Sequence, residues 1–353
     1  MLSLHLFNGK TGQHIRRVAE YNDLNWSDSI NEPGSISFKV KDIGDVKETY
    51  APWRTIAAVL DDERVIHAGY IEQLRLDNEK HVWTVSGGGG SSILEKRLVL
   101  KRTLMSSWKN GRIKVDEKNP SSAWQLSLKG SYSDLIAMLI DETLAWGALP
   151  IKSAVRTGGS NERKYNSYDY ATVLSRIEDI CDLDNGPELR FDAAIDENWK
   201  LTFYQVCATE IVTHRYSWNA LAPDSPIILG DMDVDGEDMA CECFCAGGKD
   251  LDKLLVSRTR SSNLLDEGYP LLQVADKSHT SVSQISTLQS YGAAAVSAGD
   301  HEQLTYGLTV RSDIDIRVGD WADVRTVGGV LPLKITDVSG GVGKHQSIQA
   351  RRR

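Results

Sequence analysis

The sequence predicts a mainly β, multidomain protein with an α+β insert, and three observations carry that prediction. Apolar and polar residues alternate with period two over about the first hundred residues and again near the C-terminal end. Helical spacing is strongest in the middle of the chain: Leu135, Ile136, Leu139, Ile140 and Leu144 share one face, as do Val173, Leu174, Ile177, Ile180 and Cys181. Gly69 lies inside a long strand pattern from Val65 to Leu76, where a bulge or sharp bend makes the corner of a small barrel or sandwich.

Taken in order, Leu2, Leu4 and Leu6 alternate before a hairpin turn at Asn8-Gly9-Lys10-Thr11-Gly12. Leu24 and Trp26 mark a strand that meets the breaker Pro33-Gly34, and Ile36, Phe38 and Val40 mark the next. Thr55 to Leu60, the acidic turn Asp61-Asp62-Glu63 and Val65 to Leu76 form a hairpin. Asn78-Glu79-Lys80 turns the chain into a strand from His81 to Ser86, and Gly87 to Gly90 releases it into a short capped helix at Ser91 that runs into a further strand. The polar, Pro/Gly/Asn-spotted stretch from Trp108 to Trp124 sets a boundary, giving a first β domain over residues 1–115.

Residues 116–205 read as an α+β domain. One helix runs from Ser131 to Trp146, with Ser131 and Ser133 as cap candidates and Gly147 as its stop. A second runs from Tyr168 to Leu183, and Leu189, Phe191 and Ala193 pair with Leu201 and Phe203 across Asp196-Glu197-Asn198. Residues 206–235 and 300–345 form a second β domain, with strands at Tyr306–Val310, Ile314–Val318, Trp321–Val327 and Leu331–Val338. Residues 236–299 form a small inserted domain whose helix, Val282 to Ser297, presents Ile285, Leu288, Tyr291 and Ala295. The second domain repeats the first in outline: Ile335-Thr336-Asp337-Val338 stands where Ile71-Glu72-Gln73-Leu74 stood, which reads as an internal duplication.

Bulk properties exclude several function classes. A net charge of −9 argues against a broad nucleic-acid-binding surface, since counterion release needs clustered Lys and Arg; the one basic run is Arg351-Arg352-Arg353. Acidic groups lining a conduit would instead repel DNA phosphates, over a screening length of about 8 Å. No apolar run is long enough for a membrane span, no secretory signal opens the chain, and five cysteines without a signal read as reduced thiols.

Candidate chemistry is sparse. Asp231, Asp233, Asp235 and Glu242 match the spacing of a calcium loop, but no helix precedes it and Glu242 falls in a strand pattern, so no metal is expected there. Cys241, Cys243 and Cys245 share one strand face without a fourth zinc ligand, the pattern of buried core thiols. Gly87 to Gly90 lacks the lysine of a phosphate loop. No zinc-protease, nucleophile-elbow or Cys-His pattern occurs, and Asp61-Asp62 and Asp141-Glu142 are indistinguishable from surface acids, so no cofactor and no enzymatic activity are expected.

The order Trp26, Glu32-Pro33-Gly34, Ile36-x-Phe38, Gly69-x-Ile71-Glu72, Val85-Ser86-Gly87, Leu94-x-x-Arg97 resembles the start of the baseplate hub, or tail-associated minor tail, proteins of long-tailed bacteriophages, the siphophage Gp37-like group most of all. That resemblance implies two tube-like β domains per subunit and a homotrimer in which six similar units continue a sixfold tail tube. Its implied partners are the distal tail or tail tube protein, the tape-measure protein, and fibre or receptor-binding proteins, with DNA only as passing cargo. The implied location is the virion tail tip, after assembly in the host cytoplasm. Two other readings are a tail-tip cell-wall hydrolase or carbohydrate-binding module, and the hub half of a contractile injection device. No peptidoglycan-cleaving domain is expected after the last strand.

Overall fold

Alternation in the front of the chain produces seven strands. In a computed structural model describing residues 2–42, 44–107, 114–116, 118, 121–250, 253–279, 282, 284–343 and 345–352, these are β1 (Leu2–Asn8), β2 (His14–Val18), β3 (Asn22–Ser29), β4 (Ser35–Lys41), β5 (Thr55–Asp61), β6 (Arg64–Asp77) and β7 (Val82–Gly88). The middle holds β8 (Gln125–Gly130), helix α1 (Tyr132–Trp146), β9 (Ile151–Lys152), β10 (Asn161–Asn166), helix α2 (Val173–Cys181), β11 (Glu188–Ile195) and β12 (Leu201–Ala208). β13 (Arg215–Asn219) and β14 (Ile227–Asp235) open the rear part. An excursion of β15 (Glu242–Asp250), β16 (Lys253–Arg260), β17 (Gln273–Asp276) and helix α3 (Ile285–Ala298) follows, and β18 (Gln303–Val310), β19 (Trp321–Thr326), β20 (Gly329–Gly341) and β21 (Gln346–Arg352) finish the rear part.

The protein is mainly β, as the alternation predicts. Among the described residues the strands do not close into a barrel. The front and rear strands form one open path, β14-β18-β21-β20-β3-β4-β7-β6-β5-β1-β2, with β19 and β13 branching from β20. One apolar core, including Leu4, Trp26, Phe38, Val324, Ile335 and Ile348, runs under both parts. A second core covers the opposite face of the front strands, where Ile56, Leu60 and Tyr70 pack against Leu135, Ile140 and Phe203 of the middle region. Burial on both faces explains why β5 is apolar almost throughout and alternates poorly.

Local signals act as expected where they are strong. Ser131 accepts from Asp134 N–H at 3.1 Å while Asp134 accepts from Ser131 N–H at 3.2 Å, a capping box that starts α1 one residue later. Arg97, from the Leu94-x-x-Arg97 pair, donates to the carbonyls of Thr143 and Gly147 and closes the other end of that helix. The glycines around β6 and β7 are required by close approach: a Cβ on Gly69 would lie 1.7 Å from Gly88 O, and one on Gly87 would lie 1.9 Å from Tyr70 O.

Other expectations need correction. The second helix begins at Val173, because Tyr170 takes a left-handed φ of 51° and Thr172 supplies the cap. The helix of the excursion begins at Ile285 rather than Val282. Ser91 makes no side-chain cap, and Ser92–Lys96 is a 3-10 turn, followed only by a bridge from Leu98 to Thr172. Ile314 to Val318 alternates in burial but joins no ladder. Side chains take its carbonyls instead, Asp315 O accepting from Tyr216 and Val318 O from Arg190. Trp108, the start of the expected boundary, and Arg353 of the basic run lie outside the described residues.

Candidate functional site

The front and rear parts share one plan. The front strands lie in the order β3-β4-β7-β6-β5-β1 and the rear strands in the order β14-β18-β21-β20-β19-β13. Matched position by position, both sets are also in the same chain order. The likeness reaches single residues. β6 carries a register shift against β7 between Ile71 and Gln73, and β20 carries one against β21 between Ile335 and Asp337. Trp53 N–H donates to Ile71 O at 2.7 Å, and Gly319 N–H donates to Ile335 O at 2.8 Å. Trp53 and Gly319 both adopt left-handed backbone, φ 61° and 91°. The Ile71-Glu72-Gln73-Leu74 and Ile335-Thr336-Asp337-Val338 correspondence is thus a structural one. One pairing departs from the repeat: β13 runs parallel to β19, whereas β1 runs antiparallel to β5.

The two parts meet edge to edge. β3 pairs with the far end of β20, Asn25 opposite Gly341 through Ser29 opposite Asp337. Ser29 Oγ donates to Asp337 Oδ1 at 2.6 Å, and Gly340 leaves room for the Trp26 ring, which a Cβ would approach to 2.7 Å. Trp26 is packed at the joint beside His67, with ring centroids 6.0 Å apart.

Charged side chains pair around this joint, with Lys334, Glu188 and Arg190 buried and the others partly exposed. Lys334 Nζ lies 2.8 Å from Glu188 Oε2 with both side chains no more than 8% exposed, and 3.8 Å from Glu210 Oε1. Arg190 holds Asp192 at 2.9 Å, Arg317 lies 3.3 Å from Asp192 and 3.7 Å from Asp315, and Arg64 holds Asp315 at 2.6 Å. These ion pairs tie β6, β11, β20 and the loop before β19 together. Sequence reading missed them, because no spacing rule links residues so far apart in the chain. A cavity of about 60 Å³ lies among them, lined by Asp28, His67, Arg190, Asp192 and Arg317, large enough only for a few waters. His67 Nδ1 is 3.0 Å from Asp28 Oδ1 there, and its Nε2 has no hydrogen-bond partner among the described residues. A wider, open cleft of about 530 Å³ lies between α1 and β8, bordered by Lys101, Arg102, Leu128, Met138 and Arg156.

The residues singled out for chemistry are dispersed. Asp231, Asp233 and Asp235 alternate along β14, while Glu242 starts β15 and is buried. Gln273 and Arg258 engage the Glu242 carboxylate and hold its carboxyl below the usual range. Cys243 and Cys245 sit in the small core of the excursion with their sulfurs 3.5 Å apart, and Cys241 donates to Leu272 O. Burial, and then the neighbouring Cys243, pushes the Cys245 thiol up to about 12. Asp141 accepts from Arg156 and Ser153, and Glu142 from Arg102. Among the described residues, no group of three or more His, Cys, Asp or Glu side chains is placed to hold a metal.

The fold matches that of two solved tail proteins. A 43 kDa tail protein of prophage MuSo2 from Shewanella oneidensis superposes with a TM-score of 0.56 at 11% identity, covering 99% of this chain and 98% of that one. A tail protein from Neisseria meningitidis MC58 superposes with a TM-score of 0.54 at 12% identity, covering 99% and 96%. No family model matches the sequence, and no curated protein matches it. At these identities the likeness is one of fold, and it runs nearly the whole length of all three chains.

Proposed function

We propose that this chain is a structural component of a bacteriophage tail tip, a baseplate hub that joins the tail tube to the distal tip and the receptor-binding apparatus. The single observation carrying this reading is the repeated strand plan joined edge to edge. Two alike β units per chain let three chains imitate a ring of six, and a heterologous interface gives a closed ring when its rotation closes. The units are taken as residues 1–115 and as 206–235 with 300–345, flanking an α+β domain at 116–205 and an inserted domain at 236–299. Whole-length likeness of fold to two proteins named as tail proteins supports the same reading.

In this role the protein works by architecture. It surrounds a channel for DNA and the tape-measure protein, contacts the distal tail or tail tube protein above, and offers its outer surface to fibre or receptor-binding proteins. The siphophage Gp37-like group remains the proposed affiliation. Mass photometry of the purified chain, alone and mixed with its tail tube protein, should show assemblies of three copies. A stable dimer under both conditions would count against the hub.

A further inference from the structure

The joint inside the chain has a counterpart that the described residues of one chain leave incomplete. β3 lies on β20 beyond the end of β19. By the repeat, β14 stands for β3 and β6 stands for β20. Among the described residues, β14 pairs only with β18, and the Gln73–Asp77 part of β6 pairs only with β7. Each therefore presents a row of backbone N–H and C=O groups without a neighbouring strand, a template for adding one.

We infer that the outer edge of β14 adds, antiparallel, to the Gln73–Asp77 edge of β6 in a second copy of this chain. The inference rests on the ring reading above and gives it a register. Phe38 faces Val85, which faces Leu74; Leu308 faces Ile348, which faces Val338. Phe38 and Leu308 are thus counterparts, and so are Ile36 and Tyr306, two positions earlier. Trp26 faces Ile36 and Met232 faces Tyr306, which makes Met232 the counterpart of Trp26. Carrying over the pairs Trp26–Gly340, Ser27–Ser339, Asp28–Val338 and Ser29–Asp337 puts Met232 opposite Leu76, Asp233 opposite Arg75, Val234 opposite Leu74 and Asp235 opposite Gln73.

The side chains suit this register. Met232 and Val234 are 52% and 56% exposed on β14. Leu74 and Leu76 are half-buried at the margin of the main core. Residues directly opposite in an antiparallel pair share a face, so the two apolar pairs extend the core while Asp233 meets Arg75 on the other face. Asp231 falls opposite Asp77 at the end of the ladder, where Lys80, 3.5 Å from Asp77, supplies a countercharge.

Cysteine cross-linking tests the register. A Leu74→Cys/Val234→Cys variant, mildly oxidised, should give covalent dimers and trimers on a non-reducing gel, with neither single variant doing so. The offset pair Leu74→Cys/Asp233→Cys, whose side chains fall on opposite faces, should stay monomeric on that gel. Arg75→Asp and Asp233→Arg should each raise the concentration needed for assembly about tenfold or more, and the combined variant should restore it. Threefold assemblies lacking the 74–234 cross-link, or cross-linking equally through the offset pair, would overturn this register and leave the hub reading standing. Absence of any assembly in mass photometry, with the tail tube protein present, would overturn both.

Discussion

Replacing Lys334 by methionine removes one cation from the driest part of the joint. Lys334 Nζ sits 2.8 Å from Glu188 Oε2 and donates to the carbonyl of Ile211, with the lysine side chain 2% exposed and the glutamate 8%. The variant leaves the Glu188 carboxylate in place without this countercharge, and breaking one partner of a buried pair costs about 3–5 kcal/mol. Glu188 keeps a hydrogen bond from Ile211 N–H at 2.7 Å, which cannot by itself neutralise the charge. Adding Glu188→Gln removes that charge and retains an acceptor for the N–H, so the double variant should recover about half of the loss or more. Urea unfolding followed by tryptophan fluorescence measures both variants through their midpoints. A single variant losing less than about 1 kcal/mol, or a double variant no more stable than the single, would mean that water screens the pair and that it does not act as a buried one.

Three further outcomes follow from the same structure. Burial pushes the Asp134 carboxyl up, but hydrogen bonds from Thr157, Ser131 and Gly158 outweigh it and hold the group below its usual value. Its stabilisation is therefore complete above the unfolded value of about 3.9 and lost as pH falls through the folded one; Asp134→Asn should lower the urea midpoint at pH 7 and flatten its decline below pH 4. Gly69→Ala or Gly87→Ala should cost several kcal/mol or abolish folding, because backbone lies within 2 Å of the added carbon, while Gly328→Ala, 3.8 Å from its nearest neighbour, should melt within a degree or two of the parent. With Cys245 pushed up to about 12 and Cys207 to about 11, chiefly by burial, iodoacetamide at pH 8 should label native protein slowly at both and rapidly once urea is added; fast native labelling at Cys245 would contradict its place in the core.

Elements whose cause is local could be read from the chain. The span from Ser131 to Gly147 carries its own cap, apolar stripe and stop, and it forms as read. Strands with one wet face, such as Ser35–Lys41, declare themselves by alternation. Ile314 to Val318 shows the limit of that signal, because alternate burial arises equally in a loop laid across a core. The helix expected from Tyr168 shows another, since a left-handed residue at Tyr170 delays the start without altering the apolar face. The weak echo between residues 71–74 and 335–338 was the visible trace of the repeat, and the structure extends it to strand order, register shifts and backbone conformation.

By itself, then, the sequence determined the elements with a strong local pattern, among them β4 and α1 with its cap and stop, and that two segments of the chain follow one design. The reason is that periodicity, caps and breakers act between near neighbours. Only the tertiary structure decided that β3 lies on β20, that Lys334, Glu188, Arg190 and Arg317 gather around that joint, and that β14 and the end of β6 keep open edges among the described residues. Alternation fixes which face of a strand is buried but not which edge it meets. Edge partners are chosen by packing between residues up to about three hundred positions apart, where no local signal reaches.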